Sequence, residues 1–347
     1  MSKKISDFES AQKREKLKIS TKSKLVRNVT SKNTFLLRGR VISIIGKSVI
    51  VELEDNQQTI YTCVVSGRIN SPHKKSTLIC VGDYVRFMED EANDSQLSGR
   101  IVEVEERLKK FSRRTPGKSY GEHVIASNID YVIFFFSVFD PEYNKRLIDR
   151  MLIGAEIGLV KPILCINKID LAEGTKEIKV DLKAYTDLGI PIFLISVEGK
   201  KGIKKLTDYI LNSTTLVFGP SGVGKSSFIN LLLKDEVQKV NEISEKTGKG
   251  LHTTSFVKLL HYKQNTIIID SPGIREFGLW DMDRQNLSFH FHDFDKFYLD
   301  CKFLPCTHIH EPSCAVKQAV EQGLVDYDRY QSYINIFDTI DDDIDFV

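Results

Sequence analysis

A chain of 347 residues, 28% charged and 41% hydrophobic, is longer than one small domain needs, so two or three units that each bury a core are expected. Apolar runs such as residues 132–136 fall far short of the roughly 20 residues that span a bilayer, and the first residues are polar with no apolar signal core; both argue against a membrane protein and predict a cytoplasmic one. The net charge of +2 hides an asymmetry, since residues 1–32 hold ten Lys/Arg against three Asp/Glu, a local +7 that leaves −5 elsewhere.

Residues 1–33 lack hydrophobic periodicity and are read as a basic flexible arm. From Phe35 the pattern turns to short strand-like runs separated by Gly, Asn, Asp or Ser. Five such strands over 34–108 predict a small β-barrel of OB type, with an SH3-like barrel giving much the same pattern. A basic linker over 109–128 follows; with the arm it is either solvated chain or a contact for a polyanion such as RNA.

Between 129 and 280, apolar strand runs alternate with helical segments, the signature of an α/β unit with a mostly parallel sheet buried on both faces. The first chemical motif here is Asn167-Lys168-Ile169-Asp170, at the end of a strand. The Asp170 carboxylate suits the N1–H and 2-amino donors of guanine, a pair that adenine lacks, and leaving a buried Asp unpaired is costly, so strong selection for guanine is expected; Asn167 supports the loop, and the Lys168 stem lies over the ring. Ser196, in the loop at 195–199, belongs to a segment that offers a backbone N–H to guanine O6.

The second motif, Gly219-Pro220-Ser221-Gly222-Val223-Gly224-Lys225-Ser226-Ser227, fits G-x-x-x-x-G-K-[ST] between a strand and a helix. Its glycines let backbone N–H groups wrap a polyphosphate at a helix N-terminus, Lys225 reaches the β- and γ-phosphates, and Ser226 can ligate Mg2+. Downstream, Asp270 ends a strand where it can hold the same Mg2+, and Gly273 supplies an N–H for the γ-phosphate. Thr253 or Thr254 can cap the metal and the γ-phosphate from the intervening loop. The residue after Gly273 is Ile274, which has no polar atom to orient a water molecule.

The last segment, 281–347, reads as a small helical unit with an acidic tail. It carries Cys301, Cys306, His308 and Cys314, a Cys3His set suited to tetrahedral Zn2+, with His310 as a rival nitrogen ligand. Such a site would be structural, holding together a unit with little core of its own. Cys63, Cys80 and Cys165 fall singly in apolar surroundings and read as buried, reduced cysteines.

The order of these elements is unusual, because Asn167 precedes Gly219 by 52 positions whereas GTP-binding chains generally place the phosphate loop first. Base reader, Ser loop, phosphate loop, Thr loop and Asp-x-Pro-Gly in this order, with a barrel before and a Cys/His cluster after, resemble the RsgA (YjeQ/EngC) family of circularly permuted, ribosome small-subunit-dependent GTPases. The resemblance covers about residues 35–335. It implies a GTP hydrolase, one structural Zn2+ held through His308 rather than His310, Mg2+ with the GTP, and His252 as the group that positions water beside Lys225, Thr253 and Thr254. It further implies GTP/GDP as ligands, action on the small (30S) ribosomal subunit and its 16S rRNA, coupling of hydrolysis to late maturation or assembly-factor release, and a monomeric state. The residues themselves leave two other readings open: a non-hydrolysing RNA-binding scaffold switched by GTP, favoured by Ile274, and an ATP-dependent enzyme in which Asn167 and Asp170 are incidental.

Overall fold

The computed structural model describes residues 36–73, 76–90, 97–115, 121–240, 256–274 and 276–340. The basic arm, the loop bearing His252, Thr253 and Thr254, and the acidic tail lie outside the described residues.

The chain opens with β1 (Leu37–Ile45), β2 (Ser48–Leu53), β3 (Asn56–Asn70), β4 (Tyr84–Glu89) and β5 (Ser98–Val104). They pair in the order β1-β2-β3-β5-β4 and close through β4 on β1, with β3 and β5 parallel, which makes an OB-type barrel. Alternate residues point inward, so Val41, Val51, Cys63, Val85, Phe87 and Ile101 fill the barrel and are fully buried.

Next come β6 (Lys110–Arg114) and β7 (Glu122–Ser127), an antiparallel pair. The stretch 109–128, expected to be a linker, is therefore largely paired strand. Its basic residues conceal the alternation: Lys110 pairs with Glu122 and Lys109 with Asp130, as Arg107 just before it does with buried Asp83, while Phe111 and Ala126 are fully buried. Phe111 stacks on Phe277 and meets Phe218 edge-on, so this pair of strands belongs to the core of the following sheet.

That sheet is built from β8 (Tyr131–Ser137), β9 (Lys161–Asn167), β10 (Ile192–Leu194), β11 (Thr214–Phe218), β12 (Lys258–Tyr262) and β13 (Thr266–Asp270). The order is β10-β9-β8-β11-β13-β12, all parallel except β12. The apolar run along β8 divides between two cores, with Phe134 and Phe136 on one face and Ile133 and Phe135 on the other, which is why it reads as continuous rather than alternating. Helices α1 (Lys145–Ile157), α2 (Lys176–Asp181), α3 (Lys183–Asp187), α4 (Ile203–Tyr209) and α5 (Lys225–Val240) make the crossovers. β12 pairs with barrel strand β1 at Ser43 and Lys258, joining barrel and parallel strands into one continuous sheet.

The C-terminal part contains α6 (Asp295–Tyr298), α7 (Ala315–Glu321) and α8 (Tyr327–Phe337). Its core extends onto α1 through Ile153, and buried Arg329 on α8 donates hydrogen bonds to buried Asp149 on α1 and to Asp293. Burial pushes the Asp149 carboxyl up and the Arg329 charge opposes it. No helix among the described residues is long and apolar enough to cross a membrane.

Candidate guanine-nucleotide and metal sites

Five loops meet at the C-terminal ends of the parallel strands, the crevice where open α/β sheets bind ligands. They follow β8 at Ser137, β9 at Asn167, β10 at Leu194, β11 at Phe218 and β13 at Asp270.

Asn167 is buried and joins three of them. Its Nδ2 donates to the Val223 carbonyl at 2.9 Å, and its Oδ1 accepts from the Val197 N–H at 3.0 Å. Gly224 makes the first contact possible, since a Cβ there would stand 2.3 Å from Asn167 Nδ2 and its φ of +100° disfavours any side chain. Ser196 is buried; its hydroxyl accepts from the Gly199 N–H at 2.7 Å and shapes the tight loop. Lys168 adopts a left-handed conformation, φ 62°, and Ile169 is half-buried beside it. The Asp170 carboxylate is exposed rather than buried. The cost of leaving it unpaired, expected from the sequence to enforce guanine selection, therefore arises only once a base covers it.

On the phosphate side, Gly219 to Ser227 run from β11 into α5, whose first residue is Lys225. Ser221, Gly222, Ser226 and Ser227 are exposed, whereas Val223 and Lys225 are buried. The Lys225 ammonium donates to the carbonyls of Gly219 at 2.9 Å and Pro220 at 2.6 Å. Burial pushes this amine down to about 8, with the negative charge of Asp270 pulling the other way, so Asp270 faces the same space. A polyphosphate would supply the counter-charge that burial withholds. The carboxylate of Asp270 and the hydroxyl of Ser226 are hard oxygen donors of the kind Mg2+ takes. Gly273 lies against the loop, where a Cβ would come within 2.7 Å of Ser221 Cα, and the next N–H, from Ile274, donates to the Gly219 carbonyl at 3.2 Å. The Ile274 side chain is buried in the core.

One component escaped sequence reasoning. The loop after β8 carries no nucleotide motif, yet the carbonyls of Phe139 and Asp140 both accept from the Lys168 ammonium. The signal was present only as position, since a loop following a central parallel strand must border the crevice.

The second constellation is buried. Ligand atoms of Cys301, Cys306, His308 and Cys314 lie within 4.8 Å of one another, and all six cysteines of the chain are free thiols. Cys301 Sγ and Cys314 Sγ are 3.8 Å apart, and His308 Nδ1 stands 3.6 and 3.3 Å from them. A tetrahedron with Zn–S bonds near 2.3 Å has an S···S edge of about 3.8 Å, so the donor set fits that ion. His310 is exposed and outside the cluster. Burial pushes the Cys306 thiol up to about 12 and the His308 imidazole down to about 4; a cation would displace the thiol protons. Glu311 fastens the loop by accepting from the Thr307 N–H and hydroxyl, both at 2.7 Å, and from the Ile309 N–H at 3.2 Å.

A phosphate loop at the centre of a parallel sheet, with its base reader earlier in the chain, defines a circularly permuted GTPase. Known proteins agree. A family model described as RsgA GTPase matches residues 104–280. The small ribosomal subunit biogenesis GTPase RsgA of Chlorobaculum parvum is 38% identical over 310 residues, covering 88% of this chain and 99% of its own. The crystal structure of YjeQ from Thermotoga maritima aligns with a TM-score of 0.65 at 29% identity, covering 87% of this chain and 98% of that one. YloQ, a circularly permuted GTPase, gives 0.62 at 26% identity, covering 90% and 97%. The chain belongs to the RsgA GTPase family.

Proposed function

We propose that this protein is a cytoplasmic GTP hydrolase that binds the small ribosomal subunit through its 16S rRNA and couples hydrolysis to late maturation or assembly-factor release. The observation that carries the nucleotide reading is the pair of hydrogen bonds that Asn167 makes, donating to the Val223 carbonyl and accepting from the Val197 N–H, which links the base-reader loop, Ser loop and phosphate loop. The relatives' names, small ribosomal subunit biogenesis GTPase, support the ribosomal role.

In this reading Asp170 accepts from guanine, the amides of residues 219–227 and the Lys225 ammonium hold the phosphates, and the Gly273 N–H contacts the γ-phosphate. Asp270 and Ser226 would hold Mg2+, which when bound neutralises charge on the phosphates. His252 orients the attacking water, with Thr253 and Thr254 closing over the phosphates. Cys301, Cys306, His308 and Cys314 would hold one Zn2+ that keeps the C-terminal part folded. The barrel over 34–108, the nucleotide unit over 129–280 and the zinc segment over 281–347 act in a monomer, barrel and zinc segment facing rRNA.

GTP turnover measured with and without purified small subunits tests this. A large stimulation is expected, and equal rates would overturn it. Asp170→Asn should erase the preference for GTP over ATP at equal Mg2+. Burial of Ile274 favours a second reading, in which GTP only locks an RNA-binding scaffold. His252→Ala separates the two: stimulated turnover should vanish with GTP affinity intact, and unchanged turnover would remove His252 from the chemistry.

A further inference from the structure

The loop Val138–Pro141 stands between the base reader and the phosphate loop. On one side the carbonyls of Phe139 and Asp140 accept from the Lys168 ammonium. On the other, Pro141 Cδ lies 3.5 Å from the position a Cβ on Gly222 would take. At its base, the Val138 N–H donates to the Asn167 carbonyl at 3.1 Å.

The loop is closed on itself from below. Ser137, the last residue of β8, is fully buried, and its hydroxyl donates to the Pro141 carbonyl at 2.6 Å. Ser137 also faces Asn167 across the β8–β9 ladder, in register. A buried hydroxyl whose proton goes to the far end of a four-residue loop fixes where the carbonyls in between sit. Those carbonyls are what restrain the end of the Lys168 side chain, a long stem that otherwise keeps its rotamer freedom.

We propose that Ser137 is a positioning residue for nucleotide binding: through the Val138–Pro141 loop it clamps the Lys168 ammonium so that the Lys168 stem forms a preset platform for the purine ring. The inference rests on the guanine-site reading above and adds a separate contribution to it. Asp170 reads the base edge, whereas the platform is indifferent to which groups the edge carries. Loss of the clamp therefore weakens all purine nucleotides equally and leaves discrimination between them intact.

The test is equilibrium titration of the full-length protein with GDP, IDP and ADP, with steady-state turnover alongside. In the parent protein GDP binds better than IDP, which lacks the 2-amino donor, and far better than ADP; absence of that ranking would overturn the guanine reading itself. Ser137→Ala should weaken GDP and IDP by the same factor, roughly three- to tenfold, the worth of one hydrogen bond. Their ratio should hold, with KM raised and kcat unchanged. Lys168→Met keeps the stem and removes the ammonium, and the double variant should lose no more than Lys168→Met alone. Additive losses, a changed GDP-to-IDP ratio, or unaltered GDP binding in Ser137→Ala, with the parent ranking in place, would overturn the clamp. Should Ser137→Ala fold poorly, Ser137→Cys replaces it, since a thiol fills similar space but is only a weak donor: the same equal loss for GDP and IDP is expected, and GDP binding as tight as in the parent would refute the proposal.

Discussion

Between Ser137 and Gly273 the polypeptide holds a site open with backbone, whereas between Cys301 and Cys314 it closes one with side chains. The first gathers loops from five strand ends, and several of its candidate contact residues, Asp170, Ser221, Gly222 and Ser226, are exposed. The second lies on one short stretch, and all four of its donors are buried. The difference follows from what each ligand requires. A nucleotide must enter and leave, so its amides and carboxylates stay accessible and are positioned by bonds among the loops. A structural cation has only to stay, so its donors can be sealed.

If the sealed site holds the C-terminal part together, Cys314→Ala should have the largest effect, removing on the order of 10 kcal/mol of metal-binding free energy. Elemental analysis should show the metal gone and calorimetry a lost or lowered transition, while GDP affinity changes little. A parallel collapse of GDP affinity would break the distinction between the two sites.

Next in size is the junction between them. Arg329→Met leaves Asp149 buried beside α8 without its cation, which typically costs about 3–5 kcal/mol. Urea denaturation should detect it, and a loss confined to the C-terminal part would mean that α1 does not bind the regions into one cooperative unit.

Within the open site, Gly224→Ala forces a side chain into a left-handed position 2.3 Å from Asn167 Nδ2. Strain of about 1–3 kcal/mol should appear as roughly ten- to hundredfold weaker GDP binding, with bound metal retained.

The smallest effect is pH dependence. The Lys225 amine sits at about 8 in the folded protein against 10.5 in the unfolded chain, so between those values the unfolded state binds more protons. Stability of the nucleotide-free protein should therefore rise with pH across that window. Affinity for GDP should fall, up to roughly tenfold by pH 9, as the ammonium is lost. The two slopes have opposite signs, and a shared sign would argue that Lys225 is not the group responsible.

Much of this architecture was legible in advance because its signals are local. The phosphate loop announces itself in nine consecutive residues, the Cys/His set in fourteen, and the buried strands in runs such as 132–136. Three features were not legible, each for a physical reason. The pairing of β6 with β7 was masked by basic residues whose partners, Asp83, Glu122 and Asp130, lie at a distance in sequence. The Val138–Pro141 loop contacts Lys168 through carbonyls, which any residue supplies. The exposure of Asp170 depends on how far its loop projects, and residue identity carries no information about that. His252, Thr253 and Thr254 lie outside the described residues; the role of His252 comes from the resemblance, and that of the threonines from their place between the phosphate loop and Asp270.

The single pairing of Ser43 with Lys258 has a consequence for solubility. An open parallel sheet normally ends in a row of unpaired amides and carbonyls that can recruit a strand from another molecule. Here one margin continues into a barrel that closes on itself, and the other ends in β10, with only three residues. Among the described residues, this sheet thus offers less template for edge-to-edge pairing than an open parallel sheet would.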